Sequence, residues 1–388
     1  MKVLYLSSIF LGFVHYPIIR MKEDFNIDYY VYFFQNKYPL CRDKEYKKHW
    51  TTKNLTAVVD ESRYKIIQYW GFPKNWFNQL YAHMIYFKIS KFIKKGDFDI
   101  IHAHCLHPTG MIAAKLSKKL GIPFVVTSHG IDFYHAIPVE GKIVFNQTVR
   151  NQLKKVMKNA YATIAVSVKF AQDIKSFYPD ANVIVSENTY NRDIFKPKPF
   201  NNEKKPTLEF LTIGFFMYVK NHILLLKAFS DLIKLYPHIR LTIVGTGHLL
   251  NDYLQFIESN QLAEYVTIKH FMPQHLLIKE YHRADIFVLP SLTEPFGIVC
   301  LEALTCGLAT IASNTHGPSK IINDNVDGLL FETNNKEDLK NKMLYLINNP
   351  EQIKILGEQA IIKSKLYENK HHEVYEQYKL AIEDANNR

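Results

Sequence analysis

Cysteine is scarce in this 388-residue chain: Cys41, Cys105, Cys300 and Cys306 stand apart, with no CxxC spacing among them. So sparse a set argues against a disulfide-stapled scaffold and suits reduced thiols in a cytoplasmic protein. Long apolar runs are missing too, and no segment reaches the ~18–20 uninterrupted apolar residues of a spanning helix. The opening MKVLYLSSIFLGFVHYP sets Lys2 before an apolar run, but Ser7 and Ser8 break that run and no small-x-small cleavage site follows. It reads as a buried first strand, 2–6, and then a loop, rather than as a secretory signal. Internal repeats, low-complexity tracts and heptad runs are also lacking, which argues against solenoids and coiled coils.

Acidic side chains are the other shortage, 37 against 48 basic ones, for a formal charge of +11. The surplus is concentrated in residues 37–95, which hold 13 Lys/Arg and 4 Asp/Glu. The same stretch contains every tryptophan of the chain, Trp50, Trp70 and Trp76. Basic residues interleaved with aromatic rings suit an anionic membrane surface, where rings sit at headgroup depth. A solvated basic face with partly buried tryptophans has the same composition, and single-stranded nucleic acid could also use such a surface. Peripheral association with an anionic membrane is the expectation, with no nucleic-acid partner.

What the chain has in quantity is apolar residues, 47% of the total, in short β-rich runs that alternate with helical patterns. Strands are expected at 2–6, 29–34, 100–102, 124–128, 162–166 and 183–185, with helices such as 110–119 and 144–159 between them. A second series follows, with strands at 208–214, 240–245, 266–269, 286–290, 309–313 and 328–331. Its helices are 221–235, 250–260, 274–284, 297–305 and 336–348. Near-continuous apolar strands separated by helices make parallel βαβ units with both faces covered. The Asn-, Lys- and Pro-rich stretch 188–206 divides the two series. The expected domains are 1–195, a linker 196–206, 207–365, and a C-terminal helix 366–388 that crosses back. Two doubly wound α/β domains facing across a cleft place ligands at the carboxyl ends of their strands.

Glu294 and Glu302 are eight residues apart within PSLTEPFGIVCLEALTCG, among mostly apolar neighbours. Gly297 between them permits a tight entry to a helix whose free amides and positive end form a seat for a diphosphate. Carboxylates on either side of such a seat suit a sugar nucleotide, with its hexose, diphosphate and ribose. A capping carboxylate followed by a solvent-facing helix glutamate would show the same spacing, since helix starts favour acids anyway.

Residues 290–330 resemble the E-x7-E donor-binding region of the family 4 retaining glycosyltransferases, which have the GT-B fold. The likeness continues through FDIIHAH (98–104), GIPFVVTSHGID (121–132), ENTYNRDIF (187–195), LTIVGTG (241–247) and ADIFVLPS (284–291). The resemblance implies a transfer of hexose from a UDP- or GDP-linked sugar to a glycan or glycolipid acceptor, with retention and without a metal or other cofactor. It implies that Glu294 binds the transferred sugar and Glu302 the ribose. The backbone of Phe296, Gly297, Ile298 and Val299 would cradle sugar and diphosphate. Lys220 would neutralise the leaving diphosphate, with Gly214 shaping the adjacent loop, and His129 would face the sugar from the other domain. Gly12 stands in the first loop, where relatives often have paired glycines, and the base would be read near residues 270–272. The sparse cysteines and the basic, tryptophan-bearing segment together lead us to expect a cytoplasmic protein at the inner face of the cell membrane.

The departures are specific. Phe215 stands where the family usually has an arginine beside Lys220, and His316–Gly317 and Lys320 replace its paired glycines and later glutamate. They motivate two alternatives: a sugar-nucleotide or glycan-binding protein without catalysis, or another GT-B enzyme such as a sugar-nucleotide epimerase. Two further patterns look like metal sites but are read as a strand entry and as structural or substrate-lining histidines. Asp97-Phe98-Asp99 forms a DxD at a strand entry, and His102, His104 and His107 cluster after it, with no Cys, Asp or Glu to complete a tetrahedral set.

Overall fold

Two parallel sheets organise the chain. The computed structural model describes residues 1–7, 12–36, 63–69, 78–134, 147–199 and 206–387. These form two compact units: the described residues of 1–189 together with those of 369–388, and Tyr190–Glu368. The tryptophan-bearing stretch 37–62 and 70–77 lies outside the described residues.

In the N-terminal unit β1 (Lys2–Ser7) leads to α1 (Gly12–Phe25), β2 (Asp28–Asn36), β3 (Tyr64–Tyr69), α2 (Asn78–Ser90) and β4 (Ile100–His104). Then follow α3 (Met111–Leu120), β5 (Phe124–Ser128), α4 (Gln147–Asn159), β6 (Ala162–Ala165), α5 (Val168–Phe177) and β7 (Val183–Val185). The sheet order is β3-β2-β1-β4-β5-β6-β7, with parallel pairing throughout. Order reverses between β1 and β4, the switch point beyond which such sheets bind ligands.

The C-terminal unit repeats the plan with β8 (Leu208–Ile213), α6 (His222–Ile233), β9 (Ile239–Val244), α7 (Leu250–Ser259), β10 (Val266–Lys269) and α8 (Gln274–Arg283). It continues through β11 (Ile286–Leu289), α9 (Ile298–Thr305), β12 (Ala309–Ser313), β13 (Leu329–Phe331), α10 (Lys336–Asn348) and α11 (Pro350–Ser364). Its order, β10-β9-β8-β11-β12-β13, reverses between β8 and β11. The final helix, α12 (His371–Asn386), belongs to the N-terminal unit.

The strands form because apolar side chains on both faces find a helix to cover them. Every residue of β5, β11 and β12 is buried. In the C-terminal core Phe210, Phe229, Leu225, Ile286 and Val288 pack together without exposure, each contributing about 1.5–3 kcal/mol of burial. Helix ends carry their own signals. Asn335 accepts from the Asp338 amide to cap α10, and Gly121 closes α3 in the left-handed region at φ 70°.

Three expectations are corrected here. The loop read after the first strand falls at residues 8–11, outside the described residues, and the helix α1, which carries Pro17 inside it, follows where no helix is expected. The basic segment contains β3 and α2, where neither was expected. The C-terminal helix expected at 366–388 begins later: α11 ends at Ser364, a 3-10 turn spans Lys365–Tyr367, and α12 starts at His371.

Candidate functional site

The two acids eight residues apart fall at the carboxyl end of β11 and within α9. Gly297 caps α9 with φ 96°, a left-handed conformation that costs a non-glycine residue strain. The amides of Ile298 and Val299 open the helix and have no carbonyl within it to bond. The loop ahead is pinned from two sides: Leu292 N donates to Val219 O at 2.8 Å and Gly317 N to Glu294 O at 2.9 Å. A Cβ at residue 317 would fall 2.1 Å from the Phe296 carbonyl oxygen. The second glycine of the family's pair is therefore sterically required here, and half-buried His316 stands at the first.

Glu294 is 7% exposed. Its Oε2 accepts from Lys220 Nζ at 2.5 Å and from Ser291 Oγ at 3.3 Å. Lys220 ends the 3-10 turn Tyr218–Lys220 after β8, so the two strands flanking the switch point deliver the pair. Gly214 stands just before this turn, where a Cβ would crowd His222 Nε2 at 3.3 Å. Phe215 lies face to face with Phe271, centroids 6.4 Å apart and rings 1° from parallel. The missing arginine is thus replaced by an aromatic pair, and Lys320 is exposed.

Glu302 is 3% exposed and held at both oxygens. Gln274 Nε2 donates to Oε1 at 3.1 Å and the Tyr281 hydroxyl to Oε2 at 2.8 Å. Burial pushes its carboxyl up to about 7, against the opposing effect of those two bonds. A solvent-facing glutamate is therefore excluded. Neither Gln274 nor Tyr281 was singled out from sequence, because they lie 28 and 21 positions upstream.

A second cluster occupies the carboxyl ends of β4 and β5 in the N-terminal unit. His129 Nε2 meets His104 Nδ1 at 3.0 Å, the rings stacked 5.3 Å apart. His102 bonds Thr127 Oγ1 at 2.7 Å and contacts the Tyr378 hydroxyl from α12. Burial holds His129 down at about 4 and His102 at about 3, so both imidazoles are neutral at physiological pH. A pocket opens beside them, lined also by Tyr5, Glu187 and Lys370. Asp132, unremarked in the sequence, ties the two loops together by accepting from Leu106 N and Ser128 Oγ. Gly12 begins α1 on the same sheet.

The DxD carboxylates accept backbone amides: Asp97 takes the Lys94 amide in a turn, and Asp99 takes the Lys2 amide at the start of β1. Among the described residues, the three side chains that converge with metal-ligand spacing are Asp24, His371 and His372, not His102, His104 and His107.

Two nucleotide-binding-type sheets, each with its polar cluster at the strand switch point, define the GT-B class of nucleotide-sugar enzymes. The profile described as Glycosyltransferase Family 4 matches residues 28–193, and that of Glycosyl transferases group 1 matches residues 191–363. Together they span most of the chain, which belongs to the family 4, group 1 glycosyltransferases. It is similar to an uncharacterized glycosyltransferase of Methanocaldococcus jannaschii, 27% identical over 346 residues, covering 81% of this chain and 88% of that one. An alpha-monoglucosyldiacylglycerol synthase of Acholeplasma laidlawii is 25% identical over 76% of this chain and 78% of its own. The Escherichia coli UDP-Gal:alpha-D-GlcNAc-diphosphoundecaprenol alpha-1,3-galactosyltransferase is 27% identical, covering 66% and 67%. Among solved structures, sucrose-phosphate synthase of Thermosynechococcus elongatus superposes with TM-score 0.80 at 16% identity, covering 98% of both chains. Anabaena HepE in complex with UDP and glucose superposes with TM-score 0.74 at 17% identity, covering 98% and 99%. These two likenesses concern the fold.

Proposed function

We propose that the protein moves a hexose, with retention, from a UDP- or GDP-linked sugar to a lipid-linked or surface-polysaccharide glycan. The observation that carries this reading is the convergence of Lys220, Glu294 and the Gly297-capped start of α9, with buried Glu302 further along the same helix. Glu294 holds hydroxyls of the transferred sugar and Glu302 accepts from the ribose. The diphosphate sits on the α9 amides, with backbone contacts from Phe296 to Val299. On donor binding Lys220 turns from Glu294 toward the leaving phosphate, where an ammonium lowers the barrier by neutralising developing charge. His129 offers a neutral imidazole to the sugar from the N-terminal unit, the acceptor-binding half.

The transition state is oxocarbenium-like. No enzyme carboxylate is assigned as nucleophile, and the departing phosphate oxygen takes the acceptor proton. Exclusion of water on closure limits hydrolysis. UDP-hexoses come first for testing, since one relative's name includes UDP-Gal. The test is transfer by the purified protein from a panel of UDP-, GDP- and ADP-sugars, with and without EDTA, and the anomer read by NMR. Transfer with inversion, or activity lost in EDTA and restored only by metal, would overturn the mechanism.

Two relatives carry lipids in their names, an alpha-monoglucosyldiacylglycerol synthase and a galactosyltransferase named for GlcNAc-diphosphoundecaprenol. A face near α2 suits such an acceptor. Met84, Phe87 and Phe92 are 42%, 60% and 58% exposed among Lys88, Lys91, Lys94 and Lys95. Among the described residues no helix is long and apolar enough to cross a membrane, so attachment would be peripheral. Failure of anionic liposomes to retain the protein at low salt would remove the membrane from this reading.

A further inference from the structure

Glu302 is held by a hydroxyl that has two places to put one hydrogen. The Tyr281 oxygen lies 2.8 Å from Glu302 Oε2 and 3.1 Å from the Val299 carbonyl oxygen. A phenol donates once, and it can accept as well. With Glu302 ionised, Tyr281 donates to the carboxylate. With Glu302 protonated, the acid O–H donates to Tyr281, and Tyr281 turns its hydrogen to Val299. Both protonation states are thus fully bonded in a buried position, with Gln274 steady on Oε1.

The states differ toward a ligand. Ribose hydroxyls bind as donors to a carboxylate, and only the ionised form keeps acceptor sites open on both oxygens. Resting on the donor reading above, we propose that Tyr281 is a positioning residue that makes Glu302 a proton-linked ribose acceptor: the sugar nucleotide binds the carboxylate form, and its binding releases one proton from Glu302 to solvent. The raised titration of Glu302 places this exchange near neutrality.

The surroundings offer no competing charge. From α8 the side chains facing Glu302 are Gln274 and Tyr281, whose hydroxyl burial pushes well up. On α9 and its end the neighbours are the thiols of Cys300 and Cys306, both raised by burial and neutral. Lys198 reaches the Ala284 carbonyl and Asp285 rather than Glu302. Among the described residues no cation contacts the Glu302 carboxylate.

The experiment is calorimetric titration of the full chain with UDP-glucose and GDP-mannose from pH 5.5 to 8.5, in buffers of different ionisation enthalpy. Their diphosphates do not titrate in that range, so protons released come from the protein. We expect a constant Kd at pH 8–8.5, about tenfold weaker binding at pH 6, and release approaching one proton there and falling to none at pH 8.5. Glu302→Gln should bind more weakly with this dependence gone. Tyr281→Phe, lacking the hydroxyl that supports the carboxylate, should shift the inflection to higher pH and recover toward wild-type affinity at pH 8.5. A merely structural tyrosine would weaken binding equally at every pH. Binding without pH dependence or proton release would overturn the inference and leave the donor reading intact. Binding of neither sugar nucleotide at any pH would overturn both.

Discussion

Replacing Lys220 with methionine keeps the stem and removes the ammonium, leaving Glu294 as a buried carboxylate whose remaining side-chain partner is Ser291 Oγ at 3.3 Å. The side chains of the pair are 20% and 9% exposed, so neither has bulk water as a ready substitute. At an effective dielectric near 20 their attraction at contact is about 6 kcal/mol, most of it offset by desolvation of both ions. Removing one member of such a pair costs about 2–5 kcal/mol, and partial exposure of the lysine places Lys220→Met at the lower end, about 2–3 kcal/mol. Glu294→Gln leaves the more exposed Lys220 ammonium facing an amide oxygen that can still accept from it, and should cost about 1 kcal/mol. The double variant should be no worse than Lys220→Met, a coupling of about 1 kcal/mol or more. For a unit of this size Lys220→Met should lower the melting temperature by roughly 4–10 °C. Hydrogen exchange of peptides spanning 208–220 and 290–306 follows its opening. Strict additivity of the two single variants would refute the coupling and the electrostatic reading of the site.

Gly317→Ala should destabilise the C-terminal unit by about 3 kcal/mol, since the new Cβ meets the Phe296 carbonyl at 2.1 Å. Exchange in peptides around 296 would show the loop opening, whereas His316→Ala should be nearly silent. Phe215→Arg should restore a charged contact to the diphosphate and tighten UDP-glucose about tenfold by calorimetry; unchanged or weaker affinity would mean the Phe215–Phe271 pair already serves the donor. Acid should unfold the N-terminal unit first. His102, 2% exposed, is held down at about 3, so between pH 6.5 and 3 the unfolded chain binds the extra proton. The stability it contributes is present above pH 6.5 and falls by about 1.4 kcal/mol per unit as pH drops. In the C-terminal unit His222, also held near 3, has the same sign, but Glu302 at about 7 has the opposite sign between pH 4.5 and 7. Urea midpoints from hydrogen exchange of peptides spanning 100–129 and of peptides spanning 208–220 should therefore diverge below pH 6, and parallel curves would contradict this.

Much of the scaffold was written in local pattern. The strands 124–128, 183–185, 266–269 and 309–313 and the helix 336–348 have the bounds that their apolar runs, Asn335 cap and flanking turns indicate. Elements without such local signals escaped. In α1, where no helix is expected from local pattern, Tyr16, Ile18 and Met21 are buried. In α2 apolar residues are spread round the helix without a polar face, so no period stood out, and Met84 and Phe87 remain exposed.

The sequence by itself determined the two series of parallel strands, the spacing of Glu294 and Glu302 about a glycine that tolerates φ 96°, and the substitution of Phe215 for a charge. Those are properties of neighbours, set by periodicity, backbone freedom and residue chemistry over a few positions. Only the tertiary structure decided what the acids touch. It brings Lys220 to Glu294 across 74 positions, Tyr281 to Glu302 across 21 and Tyr378 to His102 across 276. No period links such pairs. They meet because parallel strands end together at one edge of a sheet, and because burial there leaves each polar group no partner but another brought by the fold.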